Sequence, residues 1–163
     1  MTFKSNIEIN LSDQTLTLYC AEGTTRQTYP VSTAKKGPGQ IMNSNCTPLG
    51  KHIIRAKVGD GQPTNTVFRG RRPTGEIYRF DMREVEPERD WILTRILWLS
   101  GLEIGYNRLG NVDTMRRYIY IHGSPDEIEL GQPGSHGCIR MSNTDVIHLF
   151  DSIPVGTPVL IYV

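Results

Sequence analysis

The chain has 163 residues, 37% of them hydrophobic and 21% charged, with a formal net charge of +1. That balance fits one globular domain, 1–163, large enough to bury a core. It supplies no basic field for nucleic acid or an anionic membrane, and no stretch approaches the roughly 20 apolar residues of a membrane span.

In chain order, Met1-Thr2-Phe3-Lys4 leads into Ile7, Ile9 and Leu11, an alternation that reads as a strand rather than the apolar core of a secretion signal. The expectation is a cytoplasmic protein, or a periplasmic one if a leader has been trimmed from the sequence. Residues 6–11 and 14–20 alternate around Ser12-Asp13 and predict a β-hairpin, and Tyr29-Pro30-Val31-Ser32 starts a third extended piece. Lys36 to Pro48, rich in Gly, Pro and Asn, predicts a loop, and His52 to Val58 a strand. The charged run Met82 to Asp90 reads as a solvated connection without chemistry. Trp91 to Leu99, closed by Gly101, is read as a buried strand from its Ile, Thr and Trp content. Tyr118-Ile119-Tyr120-Ile121 predicts a central strand that delivers His122 at its end. Ser142 with Asp145 three positions on predicts a capped helix whose apolar face is Val146, Ile147, Leu149, Phe150 and Ile153. Pro154 and Gly156 end it, and Val159 to Val163 is the last strand.

The chemistry concentrates in Ile121-His122-Gly123 and Ser135-His136-Gly137-Cys138-Ile139-Arg140. A thiol attacks a carbonyl as thiolate, so it needs an imidazole nearby. The resulting oxyanion needs backbone N–H donors, which a glycine before the cysteine helps to expose. Cys138 is the candidate nucleophile and His122, sixteen positions earlier, the candidate base. Histidine before cysteine, late in the chain, is the reverse of the papain-like order. Cys20 reads as a core thiol and Cys46 as a loop residue without function, although an oxidising compartment would allow a Cys20–Cys46 disulfide. His52 and His148 read as structural.

The segments His122-Gly123-Ser124-Pro125 and Gly134 to Met141 closely resemble the catalytic signature of the L,D-transpeptidase (YkuD) family of peptidoglycan enzymes. Val31 to Lys36, Thr47-Pro48-Leu49-Gly50 and Gly156-Thr157-Pro158-Val159 resemble other segments of that family, in the family's order. The resemblance implies a mainly β fold, a β-sandwich of mixed and antiparallel sheets with one or two short helices. The residues between Phe68 and Tyr106 look longer than that core requires and are expected to flank the groove.

The resemblance also implies roles. Cys138 is the nucleophile, His122 the base, and the carbonyl of Gly123 orients the imidazole in place of a carboxylate. His136 shapes the oxyanion and substrate region, with the N–H groups of Gly137 and Cys138 facing the intermediate. Arg140 holds a substrate carboxylate or braces the loop, and Ser135 is expected at the substrate. Tyr78, Tyr106, Asn107 and Arg108 are candidates for the acyl-donor groove. Only twelve residues separate His122 from Ser135, a short loop for the family.

The implied reaction is attack on the bond between the L-centre of diaminopimelate and D-alanine in a peptidoglycan stem tetrapeptide, through a thioester at Cys138. Water as acceptor gives an L,D-carboxypeptidase of murein recycling, the reading favoured by a cytoplasmic location; an amine from another stem gives an L,D-transpeptidase. No cofactor is expected, and a carbapenem should acylate Cys138. Two readings of other classes stand beside these. His122, His136 and Cys138 have the residue types of zinc ligands but lack a fourth ligand at usual spacing. A non-catalytic peptidoglycan-binding module would keep the fold without turnover.

Overall fold

A computed structural model of the chain describes residues 4–21 and 26–163. The reading of Met1-Thr2-Phe3 as the approach to a strand lies outside these described residues. The predicted hairpin is β1 (Asn6–Asn10) and β2 (Thr15–Tyr19), in which Ile7 faces Leu18 and Ile9 faces Leu16, all four side chains buried. Its turn is closed by Asn10, whose Oδ1 accepts from the N–H groups of Ser12 and Asp13.

The remaining elements are β3 (Arg26–Pro30), β4 (Gly50–Val58), β5 (Thr66–Arg69), β6 (Arg72–Ile77), α1 (Phe80–Val85), β7 (Ile92–Gly101), β8 (Tyr120–Gly123), β9 (Ile139–Met141), α2 (Asn143–Ser152) and β10 (Pro158–Tyr162). The strands run β3-β2-β1-β10-β4-β7-β5-β6, with β8 and β9 branching from β7. β10 pairs in parallel with β1 and β9 in parallel with β8; the other pairings are antiparallel.

The ten-residue strand β7 is the spine. β4 and β5 share one of its edges and β8 takes the other. The mainly β architecture with two short helices is therefore present, and its layers are hydrogen-bonded into one curled mixed sheet. The sheet wraps a single large cluster in which Ile7, Leu16, Leu97, Ile121, Ile139 and Ile161 meet Val146, Leu149 and Phe150 of α2. The α2 cap is as predicted, with the Ser142 hydroxyl accepting from Asp145 N–H at 3.1 Å. Ile153 is buried just past its end, whereas Ile147 is only partly covered.

Two expectations change. The stretch between Phe68 and Tyr106 contains β6 and β7, both strands of the sheet, so only the β5–β6 hairpin tip, α1 and the connections beside them stand outside it. The run 82–90 is not uniformly solvated: it begins inside α1 and ends at Asp90, a half-buried carboxylate in an ion pair. The thiols of Cys20, Cys46 and Cys138 are all free.

Candidate active site

His122 is held on β8, completely buried. Its Nδ1 lies 2.7 Å from the carbonyl of Gly123. A carbonyl only accepts, so Nδ1 carries the proton and Nε2 the lone pair. Nε2 has no hydrogen-bond partner among the described residues. Burial pushes the imidazole below its ordinary value, against the opposing pull of Asp90 and the Gly123 carbonyl, with Arg140 adding to the depression. His122 is thus a neutral imidazole with a free Nε2 lone pair at neutral pH.

The floor behind this histidine is irregular. β7 changes register between Leu93 and Ile96 where it faces β8, and Thr94 lies there at φ +73°, an uncommon backbone state for a β-branched residue. The conformation is held by a polar network. Thr94 Oγ1 donates to Asn143 Oδ1 at 2.6 Å and accepts from Asn65 N–H, while Asn143 Nδ2 donates to Asn65 and Asp126. Gly123 presses onto this network: a Cβ there would stand 2.5 Å from Asn143 Oδ1 and 2.6 Å from the Leu93 carbonyl.

Cys138 sits one residue before β9, next to the strand that carries the base. Its Sγ accepts from Tyr120 N–H at 3.3 Å and its S–H donates to the Tyr118 carbonyl at 3.4 Å, and the residue packs against the Phe68, Ile96 and Tyr120 cluster. Burial, reinforced by the charge of Asp90, pushes the thiol up to about 12; Tyr120 N–H, Arg140 and Arg117 act in the opposite direction. The resting residue is a thiol, not a thiolate.

The turn into Cys138 is tightly built. Ser135 Oγ donates to the Cys138 carbonyl at 2.6 Å and accepts from Gly137 N–H at 3.1 Å, and Thr47 Oγ1 donates to the Gly137 carbonyl at 2.9 Å. Gly137 has φ +130°, and a Cβ there would lie 3.2 Å from the Cys46 carbonyl. Two expectations are corrected here. Ser135 is buried with its hydroxyl engaged by the turn, not presented to a ligand. The Gly137 N–H is taken by that hydroxyl rather than free for an oxyanion.

Arg140 is engaged too. Its Nε and Nη2 donate to Asp90 Oδ1 at 3.0 and 2.8 Å, and Nη1 donates to the Gly134 carbonyl. It braces the loop before the cysteine and ties it to the segment entering β7. His136 is exposed and lines two clefts. One cleft is bounded by Glu88, Arg89, Asp90, Trp91 and Arg140, the other by Asn43, Asn45, Arg117, Tyr118 and Ile119.

Other candidates fall elsewhere. Tyr106, Asn107 and Arg108 line neither cleft. Asn107 is fully buried, donating to the carbonyls of Leu49 and Lys51 and accepting from Glu103 N–H, because it stitches the loop after β7 to β4. Tyr78 is buried edge-on to Trp91, and its hydroxyl donates to Glu127. His52 is buried between the Gly50 carbonyl and Thr114, and His148 meets the Tyr29 hydroxyl. Asp90, Thr47, Arg117 and Asn143 belong to the site region without having been singled out. Thr47 lies in a segment quoted for its resemblance, and the others carry no local signal. Among the described residues, no three His, Cys, Asp or Glu side chains converge as a metal-binding set, and no helix is long and apolar enough to cross a membrane.

Comparison with known proteins agrees with this geometry. Residues 4–161 match the family model of the L,D-transpeptidase catalytic domain. A putative L,D-transpeptidase of Bacillus subtilis, YqjB, is 50% identical over 63 residues, 39% of this chain and 34% of that protein. The LD transpeptidase LdtMt1 in complex with imipenem superposes with a TM-score of 0.58 at 21% identity, covering 97% of this chain and 58% of that one. L,D-transpeptidase 3 of Mycobacterium tuberculosis, bearing a faropenem-derived adduct, gives 0.59 at 16% identity, covering 98% and 60%. The match to YqjB thus spans about a third of that protein, and the chain covers under two thirds of these solved structures, with which it shares the fold. With a match that runs almost from end to end, the chain belongs to the family of L,D-transpeptidase catalytic domains.

Proposed function

We propose that this protein is a cysteine acyltransferase of peptidoglycan stem peptides, acting as an L,D-transpeptidase. The observation that carries the chemistry is the buried, neutral His122 with an unpartnered Nε2 among the described residues, on the strand paired with the one that Cys138 immediately precedes. In the first step the Cys138 proton passes to His122 Nε2 and Sγ attacks the carbonyl carbon of the L-centred residue. The C–N bond breaks, D-alanine leaves with the proton returned by His122, and a thioester remains. In the second step an acceptor amine attacks the thioester carbonyl, its proton passes to His122, and the C–S bond breaks to regenerate the thiol.

The match to the L,D-transpeptidase catalytic domain and the likeness to the putative L,D-transpeptidase YqjB support an amine acceptor. Hydrolysis to a tripeptide, the L,D-carboxypeptidase expected from the sequence, uses the same residues and rests on a cytoplasmic location alone. A location facing the assembled wall belongs to the transpeptidase reading. The imipenem and faropenem-derived complexes of the solved relatives support acylation of Cys138 by a carbapenem.

The test is mass spectrometry of products from a diaminopimelate-containing tetrapeptide with excess acceptor peptide. A cross-linked dimer with free D-alanine is expected from the wild type and none from Cys138→Ala. Tripeptide without dimer makes the enzyme a carboxypeptidase, and no product leaves a binding module.

A further inference from the structure

Arg117, just before Tyr118, is a half-buried cation without an anionic partner. Its Nη1 donates to the carbonyls of Gly39 and Gln40 at 3.1 and 3.2 Å, and its Nη2 to Ser44 Oγ at 3.3 Å and the Cys46 carbonyl at 2.6 Å. All four acceptors are neutral, and Arg117 enters no ion pair among the described residues. The nearby Asp113 carboxylate accepts from the backbone N–H groups of Leu109 and Arg116 instead. Keeping a guanidinium partly out of water without a counter-charge is unfavourable, which points to a use for the charge.

That use is suggested by position. The Cys46 carbonyl held by Arg117 is the atom a Cβ on Gly137 would meet, and the carbonyl of the next residue, Tyr118, receives the Cys138 thiol. The charged and titratable groups around the thiol are Asp90 and Arg140 on one side, Arg117 on the other, and the imidazoles of His122 and His136 with the phenols of Tyr118 and Tyr120. At the thiol Asp90 acts more strongly than Arg140 or Arg117, so the pair it forms with Arg140 leaves a net push against the thiolate, and Arg117, which has no carboxylate beside it among the described residues, works against that push. Burial lowers the guanidinium's proton affinity, while the Cys46 and Cys138 thiols raise it. An arginine remains protonated throughout.

We propose that Arg117 is a positioning residue for the thiol chemistry. Its uncompensated charge stabilises the thiolate and then the tetrahedral oxyanion at Cys138, while its four hydrogen bonds hold the 39–46 loop against the turn that presents the cysteine. The inference rests on Cys138 as the nucleophile, and it adds a source of positive charge to a site whose thiol is otherwise kept neutral by burial.

The experiment separates charge from bracing. Ser44→Asp places a carboxylate on an existing partner of Arg117, cancelling the charge while keeping the guanidinium and its loop contacts. The rate of Cys138 alkylation by iodoacetamide is followed against pH, with the modified peptide identified by mass spectrometry because all three thiols are free. Ser44→Asp is expected to move the profile up by about one pH unit, and to slow alkylation at neutral pH about tenfold, with no fall in melting temperature. Ser44→Asn, similar in size and neutral, should keep the wild-type profile. Arg117→Gln should shift the profile as Ser44→Asp does but also melt earlier; if it fails to fold, Ser44→Asp decides alone. A wild-type profile in Ser44→Asp, or equal shifts in Ser44→Asp and Ser44→Asn, overturns the proposal. Acylation of the wild type by imipenem is measured alongside. Its absence would count against the proposed function while the alkylation profiles still judge Arg117.

Discussion

The β1–β2 hairpin and the β7–β8 pair are both antiparallel, yet they are built to different ends. The hairpin runs five residue pairs without a register change, and its inward positions are Ile7, Ile9, Leu16 and Leu18. The β7–β8 pair breaks register between Leu93 and Ile96, holds Thr94 at positive φ, and buries Thr94, Arg95 and His122. Regular pairing maximises apolar burial. The irregular pair gives up some of that burial to hold an imidazole with a bare Nε2 and a glycine carbonyl aimed at its other nitrogen. Stability and reactivity are thus assigned to different strands of one sheet, and four perturbations test the division.

The largest expected effect is at the regular end. Leu16→Ala removes a fully buried side chain and should lower unfolding free energy by about 2–5 kcal/mol in urea titration, with activity per folded molecule unchanged. Loss of activity without loss of stability would erase the distinction.

Acid comes next. Burial lowers His52 from 6.5 to about 4, and His122 moves in the same direction. The unfolded chain therefore takes up protons near pH 6.5 that the folded chain refuses. Stability is full above 6.5, falls as pH drops towards 4 and then levels, by about 3 kcal/mol for His52. Denaturation midpoints across that range check the slope, and His52→Gln should reduce it to the share left by His122.

At the irregular end, Gly123→Ala drives a Cβ into Asn143 and the Leu93 carbonyl and displaces the carbonyl that orients His122. Turnover should fall about a hundredfold, with a smaller change in KM. A variant with wild-type kcat would show that the carbonyl does not set the base. The smallest effect is Ser142→Ala, which removes the α2 cap and should lower stability by about 1 kcal/mol by thermal melting, leaving the rate intact.

The same division explains what could be read from the sequence. The hairpin, the α2 cap and the strand leading to His122 are local patterns, in which neighbours two to four positions apart declare the element. Cys138, His122 and the Gly123 carbonyl were legible because a short motif carries them together. Asp90 was not, since its partner Arg140 lies fifty positions away and an acid at the end of a charged run looks solvated. Asn107 misled for the complementary reason: a polar residue in a loop resembles a ligand contact until its three backbone partners are seen. The bulge at Thr94 has no glycine to announce it and exists only because Asn143 and Asn65 reach it from elsewhere in the chain.

The parallel pairing of β8 with β9 sets His122 level with Arg140. Parallel neighbours cannot be joined by a tight turn, so a long crossing must connect them. Residues 126–133 of that crossing lie mostly at the surface. Insertions or deletions there would remodel one wall of a cleft while the sheet keeps His122 and Cys138 where they are. The fold thereby lets substrate range drift under selection without reopening the problem of reactivity.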